Sequence, residues 1–199
     1  RAYTQNPLTS VVAVADLDEE RAATVAGKYG IKRFYADFRK LLKERDIIAV
    51  SVATPDAFHK DPCVAAAEAG KHILVEKPMA TNVPDADLIV KAARQASVKL
   101  MVDFHQRWNP ACAHTKEAVK TGEIGKPMYV YTRLSNTILS PTEFIKWAAQ
   151  TRVIWWLTVH TFDLARWFLE AEAKRVYAVA QSEVLKNRGI DTPDLYSAI

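Results

Sequence analysis

The sequence is poor in cysteine and glycine and has no long apolar run, and each shortage closes off a class of protein. Two cysteines among 199 residues, Cys63 and Cys112, are too few for a disulfide framework and lack metal-ligand spacing. No metal is therefore expected, and a reducing cytoplasm is the expected compartment. No stretch approaches the roughly 18 apolar residues that a bilayer span needs, and the opening "RAYTQNP" has no signal-peptide core, so no membrane partner is expected. Concentrated charge is also missing. The net charge of +4 is shared as +2 over residues 1–102 and +2 over residues 103–199. The most basic stretch, "FRKLLKER" (38–45), spaces its charges around Phe38, Leu41 and Leu42 as the solvated face of a helix does, which argues against a nucleic-acid partner. Among six glycines none forms G-x-G-x-x-G, the turn that cradles a dinucleotide pyrophosphate.

What the sequence does contain is alternation. The β-branched run "SVVAVAD" (10–16) precedes a helical period in residues 18–30, closed by Gly30. "DIIAVSVAT" (46–54) repeats the strand signal, and residues 61–71 repeat the helix, with Asp61 expected as its N-cap and Pro62 in its first turn. "HILVE" (72–76), the helical 84–96 and "KLMVDF" (99–104) continue the series. Strands this uniformly apolar, separated by helices, predict a parallel sheet covered on both faces. Beyond Phe104 the pattern changes. A helix through 112–122 leads to "PMYVYTRLS" (127–135), which alternates with a period of two, as do 175–184 and 194–199. That period predicts a half-exposed antiparallel sheet and a second, α+β domain. The expected domains are residues 1–102 and 103–199.

Candidate chemistry collects at the predicted carboxyl ends of strands, the edge where open α/β sheets bind ligands. Asp16 ends the first strand, where such sheets place the acid that binds both adenosine ribose hydroxyls; it could equally cap the following helix. Leu17 follows it instead of a basic residue, which favours NAD over NADP, while Arg21 one turn on weighs the other way. In "ATPDAFH" (53–59), Thr54 and His59 could touch phosphate or ribose while Pro55 holds the turn, or all three could only build that turn.

In "ILVEKPMA" (73–80), Pro78 cannot donate a ladder hydrogen bond and stops the strand. Lys77 is then delivered to the crevice, with Glu76 on the opposite side fixing the turn. An ammonium there can steady a developing alkoxide; a surface ion pair is the plainer alternative. On a helix, Trp156, His160, Asp163 and Trp167 share one stripe. His160 could act as acid/base with Asp163 orienting it and indole walls around a sugar ring, or could be a satisfied core histidine.

These stretches together resemble the Gfo/Idh/MocA family of nicotinamide-dependent oxidoreductases. The likeness rests on "VAVADLDEERA" (12–22), "ATPDAFHKDPCVAAAEAGKHILVEKPMA" (53–80), "RWNPA" (107–111), "TGEIGKP" (121–127) and "VHTFDLARW" (159–167). It implies an N-terminal Rossmann-type parallel sheet followed by a C-terminal α+β domain whose open, mainly antiparallel sheet forms a homo-oligomer interface. It implies hydride transfer between NAD(P) and a hydroxyl of a sugar, polyol or related small molecule. By resemblance, Lys77 is the lysine of the E-K-P element with Glu76 beside it, and His160 is the acid/base histidine. Asp16 is the ribose acid, Thr54, Pro55 and His59 form the strand-end cofactor segment, and Arg107 and Trp108 lie near the nicotinamide end.

One departure stands out: Trp156 occupies the position four residues before the histidine where many family dehydrogenases carry Asp, which makes Trp156 a candidate substrate contact. The family's first strand, glycine loop and last sheet strands are also absent, so the natural chain is expected to be longer at both ends. NAD-dependent glycoside hydrolysis and a non-catalytic, cofactor-binding regulatory role are the alternative functions.

Overall fold

The structure, a computed structural model, describes all 199 residues, Arg1–Ile199. In chain order its helices and strands are α1 (Ala2–Gln5), β1 (Ala13–Ala15), α2 (Glu19–Tyr29), β2 (Arg33–Tyr35), α3 (Phe38–Leu42), β3 (Ala49–Val52), α4 (Lys60–Glu68), β4 (His72–Glu76), α5 (Val83–Gln95), β5 (Leu100–Asp103), α6 (Pro110–Thr121), α7 (Val159–Leu169), β6 (Ala178–Gln181) and β7 (Leu195–Ala198). β1 pairs in parallel with β2, and β3 in parallel with β4, in a three-stranded sheet ordered β3-β4-β5. β6 and β7 pair antiparallel, from Ala178 opposite Ala198 to Gln181 opposite Leu195. Rossmann-like parallel sheets followed by an antiparallel one are thus the architecture of the chain. No helix is long and apolar enough to cross a membrane.

Two compact units divide these elements. One comprises Arg1–Val52, Phe58–Val75 and Asn82–Met101; the other comprises Ala53–Ala57, Glu76–Thr81 and Val102–Ile199. The turns at 53–57 and 76–81 therefore group with the second unit although both follow strands of the first.

Helix boundaries in the first unit follow local chemistry. The Asp18 carboxylate accepts from the Arg21 N–H at the start of α2, Glu19 and Glu20 occupy its first turn, and Gly30 ends it with φ 67°, a left-handed conformation that only glycine adopts without steric cost. Asn82 caps α5 in the same manner through the Asp85 N–H. Small side chains face inward: Ala22 and Ala26 of α2, and Cys63, Ala66 and Ala67 of α4, are buried, which lets these helices approach their neighbours closely. Ile89 and Ala93 of α5, with Ile73 and Val75 of β4, complete this core.

Three expectations are corrected. The N-cap of α4 is His59, and Asp61 lies inside the first turn, because the helix begins two residues earlier than the proline suggested. Residues 127–135 form no strand despite their period of two, since the antiparallel ladder here contains only β6 and β7. β2 was not foreseen: "RFY" carries one arginine and two aromatics, too short and mixed for a periodic signal, and it forms by pairing with β1.

Ile89 is fully buried whereas Leu88, one residue before it, is half exposed. Ile89→Ala should destabilise the protein by about 2–5 kcal/mol, and Leu88→Ala by no more than about 0.5 kcal/mol, as urea unfolding of the two variants would measure.

Candidate active site

Pro78 is buried at the point where β4 ends, and the turn it begins carries Lys77 into the second unit. There the Lys77 ammonium donates to the main-chain carbonyl of Trp156 at 2.6 Å. Its pKa is lowered, first by burial, against the opposing pull of the Glu76 and Asp56 carboxylates. Glu76 turns back on its own neighbour and accepts from the Lys77 N–H at 3.2 Å. The Glu76 and Asp103 carboxylates and a ring nitrogen of His105 lie within 4.8 Å of one another.

Trp156 does not stand one α-helical turn from His160. Residues Ile154–Thr158 form a π-helical turn, and α7 proper starts at Val159, so the even stripe read from the sequence is broken at its first member. The widened turn is where the Trp156 carbonyl finds Lys77 as a donor, an arrangement seen where π-turns serve functional sites. The Trp156 indole N–H is buried without a hydrogen-bond partner.

His160 is 4% exposed, and its Nδ1 has no partner either. Burial, then the Lys77 charge and then His105 push its pKa down to about 4, with Asp163 opposing. The His105 ring packs edge-on against it, centroids 4.5 Å apart and planes at 66°. Asp163 makes no hydrogen bond to His160. Its two oxygens are taken by Arg107, from Nε at 2.8 Å and from Nη2 at 2.5 Å. The guanidinium of Arg107 also lies 5.6 Å from the Phe104 ring and 5.5 Å from the Trp167 ring. This planar fork is a bidentate pair between a buried carboxylate and a half-buried arginine. It ties α7 to the turn after β5, the two elements that carry His160 and His105. Trp108, next along that turn, is 70% exposed.

Thr54 is exposed, Pro55 half-buried and Asp56 buried. Asp56 accepts from the Ala57 N–H at 3.0 Å and from the Thr151 hydroxyl. Near it, Thr81, Gln150, Thr151, Arg152, Trp155 and Asp191 line a polar recess of about 310 Å3 in the second unit. Sequence reasoning passed over Asp56 and His105. The available signal was position, since each lies just past a strand's carboxyl end.

Asp16 and His59 belong to the first unit. Asp16 receives Arg21 Nε at 2.7 Å and Nη2 at 2.6 Å as well as the Asp18 N–H at 2.9 Å, and the arginine holds its carboxyl below the usual range. That pair is largely solvent-exposed and so cheap to exchange. His59 is buried, 1% exposed, at the start of α4.

The family model for the oxidoreductase family with an NAD-binding Rossmann fold matches residues 1–104, and that for the GFO/IDH/MocA C-terminal domain matches residues 112–199. The chain belongs to the Gfo/Idh/MocA family. Within it, the chain is similar to scyllo-inositol 2-dehydrogenase (NAD(+)) of Bacillus subtilis, 34% identical over 173 residues that make up 87% of this chain and 50% of that protein. It is similar to myo-inositol 2-dehydrogenase of Thermotoga maritima, 29% identical over 184 residues, 90% of this chain and 54% of that protein. Levoglucosan dehydrogenase, solved in complex with NADH and levoglucosan, superposes with a TM-score of 0.82 at 28% identity, covering 94% of this chain and 53% of that one. The chain thus spans about half the length of these Gfo/Idh/MocA relatives.

The depressed pKa of His160 has a signed consequence for stability. The unfolded chain takes up this proton near 6.5 and the folded one near 4. The contribution of His160 is therefore complete above about pH 6.5 and is lost as pH falls toward 4, by about 3 kcal/mol. Carbon-13 NMR of the imidazole across pH 3.5–7.5 should place its midpoint near 4; a midpoint above 6 would contradict the desolvation described.

Proposed function

We propose that the protein is an NAD-dependent dehydrogenase that removes a hydride from a ring or chain carbon bearing a hydroxyl, in a sugar, polyol or related compound. The observation that carries the reading is the pairing, within one unit, of a half-buried ammonium held on the Trp156 carbonyl with a buried, neutral imidazole. Family membership supports it, as do the named activities of the inositol and levoglucosan dehydrogenases.

Residues 1–102 form the dinucleotide-binding domain in this reading and residues 103–199 the substrate domain. Asp16 would hold the ribose hydroxyls once Arg21 swings into solvent, a fit supported by the exposed, exchangeable character of their pair. Thr54 and Pro55 sit in the strand-end cofactor segment with Glu76 and Lys77, and Arg107 and Trp108 lie toward the nicotinamide. The bound cofactor supplies the hydride acceptor.

His160 takes the hydroxyl proton, for which a neutral imidazole is the required form, and Lys77 donates a hydrogen bond to the same oxygen as negative charge develops on it. In this scheme Asp163 acts through Arg107 to fix α7 rather than by touching the reacting atoms. Trp156 walls the substrate. The polar recess beside it, lined by Arg152, Gln150 and Asp191 with Trp155, has the mix of aromatic and hydrogen-bonding groups that suits a hydroxylated ring. Two unpaired cysteines fit a cytoplasmic setting. Exposed Tyr177, Val179 and Leu195 on the β6–β7 sheet fit a homo-oligomer built through that sheet.

In the full-length protein, Lys77→Ala should lower kcat at least about a hundredfold, the scale of lost electrostatic or acid/base assistance. Nicotinamide absorbance over a panel of sugars and polyols would measure it, and the same panel should show NAD outperforming NADP. Undiminished turnover in the variant would remove Lys77 from the mechanism, and release of an aglycone without net cofactor reduction would replace oxidation with glycoside hydrolysis.

A further inference from the structure

His160 presents a problem of proton disposal. It is buried, its Nδ1 is sealed from solvent without a hydrogen-bond partner, and both oxygens of Asp163, the carboxylate on its own helix, accept from Arg107. Trp156, in the π-turn before α7, offers only an indole and a carbonyl already bonded to Lys77. A proton received by His160 has no carboxylate hydrogen-bonded to it and is favoured only by the charge of Asp163, while burial and the Lys77 charge oppose its staying. One side chain packed against His160 can carry a proton onward: His105, edge-on at 4.5 Å and itself exposed. Beside it stand two carboxylates, Glu76 and Asp103, with oxygens within 4.8 Å of a His105 ring nitrogen.

We infer that His105 is the second member of a two-imidazole relay that carries the hydroxyl proton from buried His160 to solvent, in place of the carboxylate missing at position 156. The inference rests on the dehydrogenase reading above. As the substrate O–H bond breaks, the proton forms an N–H bond on His160 at Nε2, and the electron pair of the C–H bond leaves as hydride to the oxidised nicotinamide. Two imidazolium rings 4.5 Å apart repel strongly in a partly dry site. The His160 N–H bond then breaks as an N–H bond forms on His105, and a proton leaves His105 for water or for the Glu76 and Asp103 carboxylates. Each turnover releases one proton to solvent and leaves both rings as they began. Lys77 and Asp163 face His160, and the two carboxylates face His105.

The test compares His105→Ala, His105→Gln and His160→Ala in the full-length protein. In dilute buffer both His105 variants should lose at least about a hundredfold in kcat with KM little changed, the lower end of a proton-transfer contribution. Added imidazole should restore the rate of His105→Ala in a concentration-dependent manner, with a solvent deuterium isotope effect on the restored part. In cofactor-free protein, His105→Ala should raise the NMR titration midpoint of His160, because a neighbouring positive charge has been removed. Undiminished rates in dilute buffer, a loss that imidazole does not repair, or a His160 midpoint that does not move would each overturn the relay. If His160→Ala is inactive while His105→Ala behaves as the parent, the relay alone fails. If His160→Ala retains full activity, the dehydrogenase reading fails with it.

Discussion

Lys77 and His160 share surroundings that desolvate both, and the cost of a second positive charge there decides which of them carries a proton. The ammonium keeps a main-chain carbonyl and two nearby carboxylates, Glu76 and Asp56, as compensation. The imidazole has only the charge of Asp163, itself paired with Arg107, against burial and the Lys77 charge, and is held neutral. This division suits a site that must donate a hydrogen bond to one side of an oxygen and accept a proton from it on another. It follows from where two strand ends and one helix deliver their side chains, and not from any unusual residue.

Two buried carboxylates tie together the elements that carry this arrangement. Asp163 and Arg107 lock α7 to the turn after β5, with the guanidinium between Phe104 and Trp167. Asp56 with Thr151 does the same for the turn after β3 and the segment before α7. A buried carboxylate stripped of its partner is costly, so each pair resists separation of the elements it joins. The Lys116 ammonium adds a third tie, bonding the Trp167 carbonyl at 2.7 Å together with the Glu170 carboxylate at the end of α7. The helix bearing His160 is thereby fixed at its middle and at its C-terminal end.

The parallel architecture was legible because α/β strands are uniformly apolar and their helices end in recognisable caps such as Asp18, Gly30 and Asn82. The E-K-P element and the histidine stood out because proline and buried charge are rare in such company. What escaped depended on through-space partners. Arg107 claiming Asp163, and His105 meeting His160, join residues more than 50 positions apart, which no local spacing reveals. The strand expected at 127–135 failed for the converse reason: a period of two says which face is apolar but cannot supply the neighbouring strand a ladder requires. A π-turn at 154–158 likewise has no signature in a 3.6-residue pattern and shifts every phase before it.

The acceptor for Lys77 is a main-chain oxygen, and that decouples two demands on position 156. Every amino acid brings the same carbonyl, so the anchor for the amine survives any exchange of side chain that keeps the widened turn. The indole can then be traded for a smaller, longer or charged group to suit a different ligand while the amine stays tethered. In the proposed site, the side chain at position 156 and the tether of the amine are thus separate features of one residue.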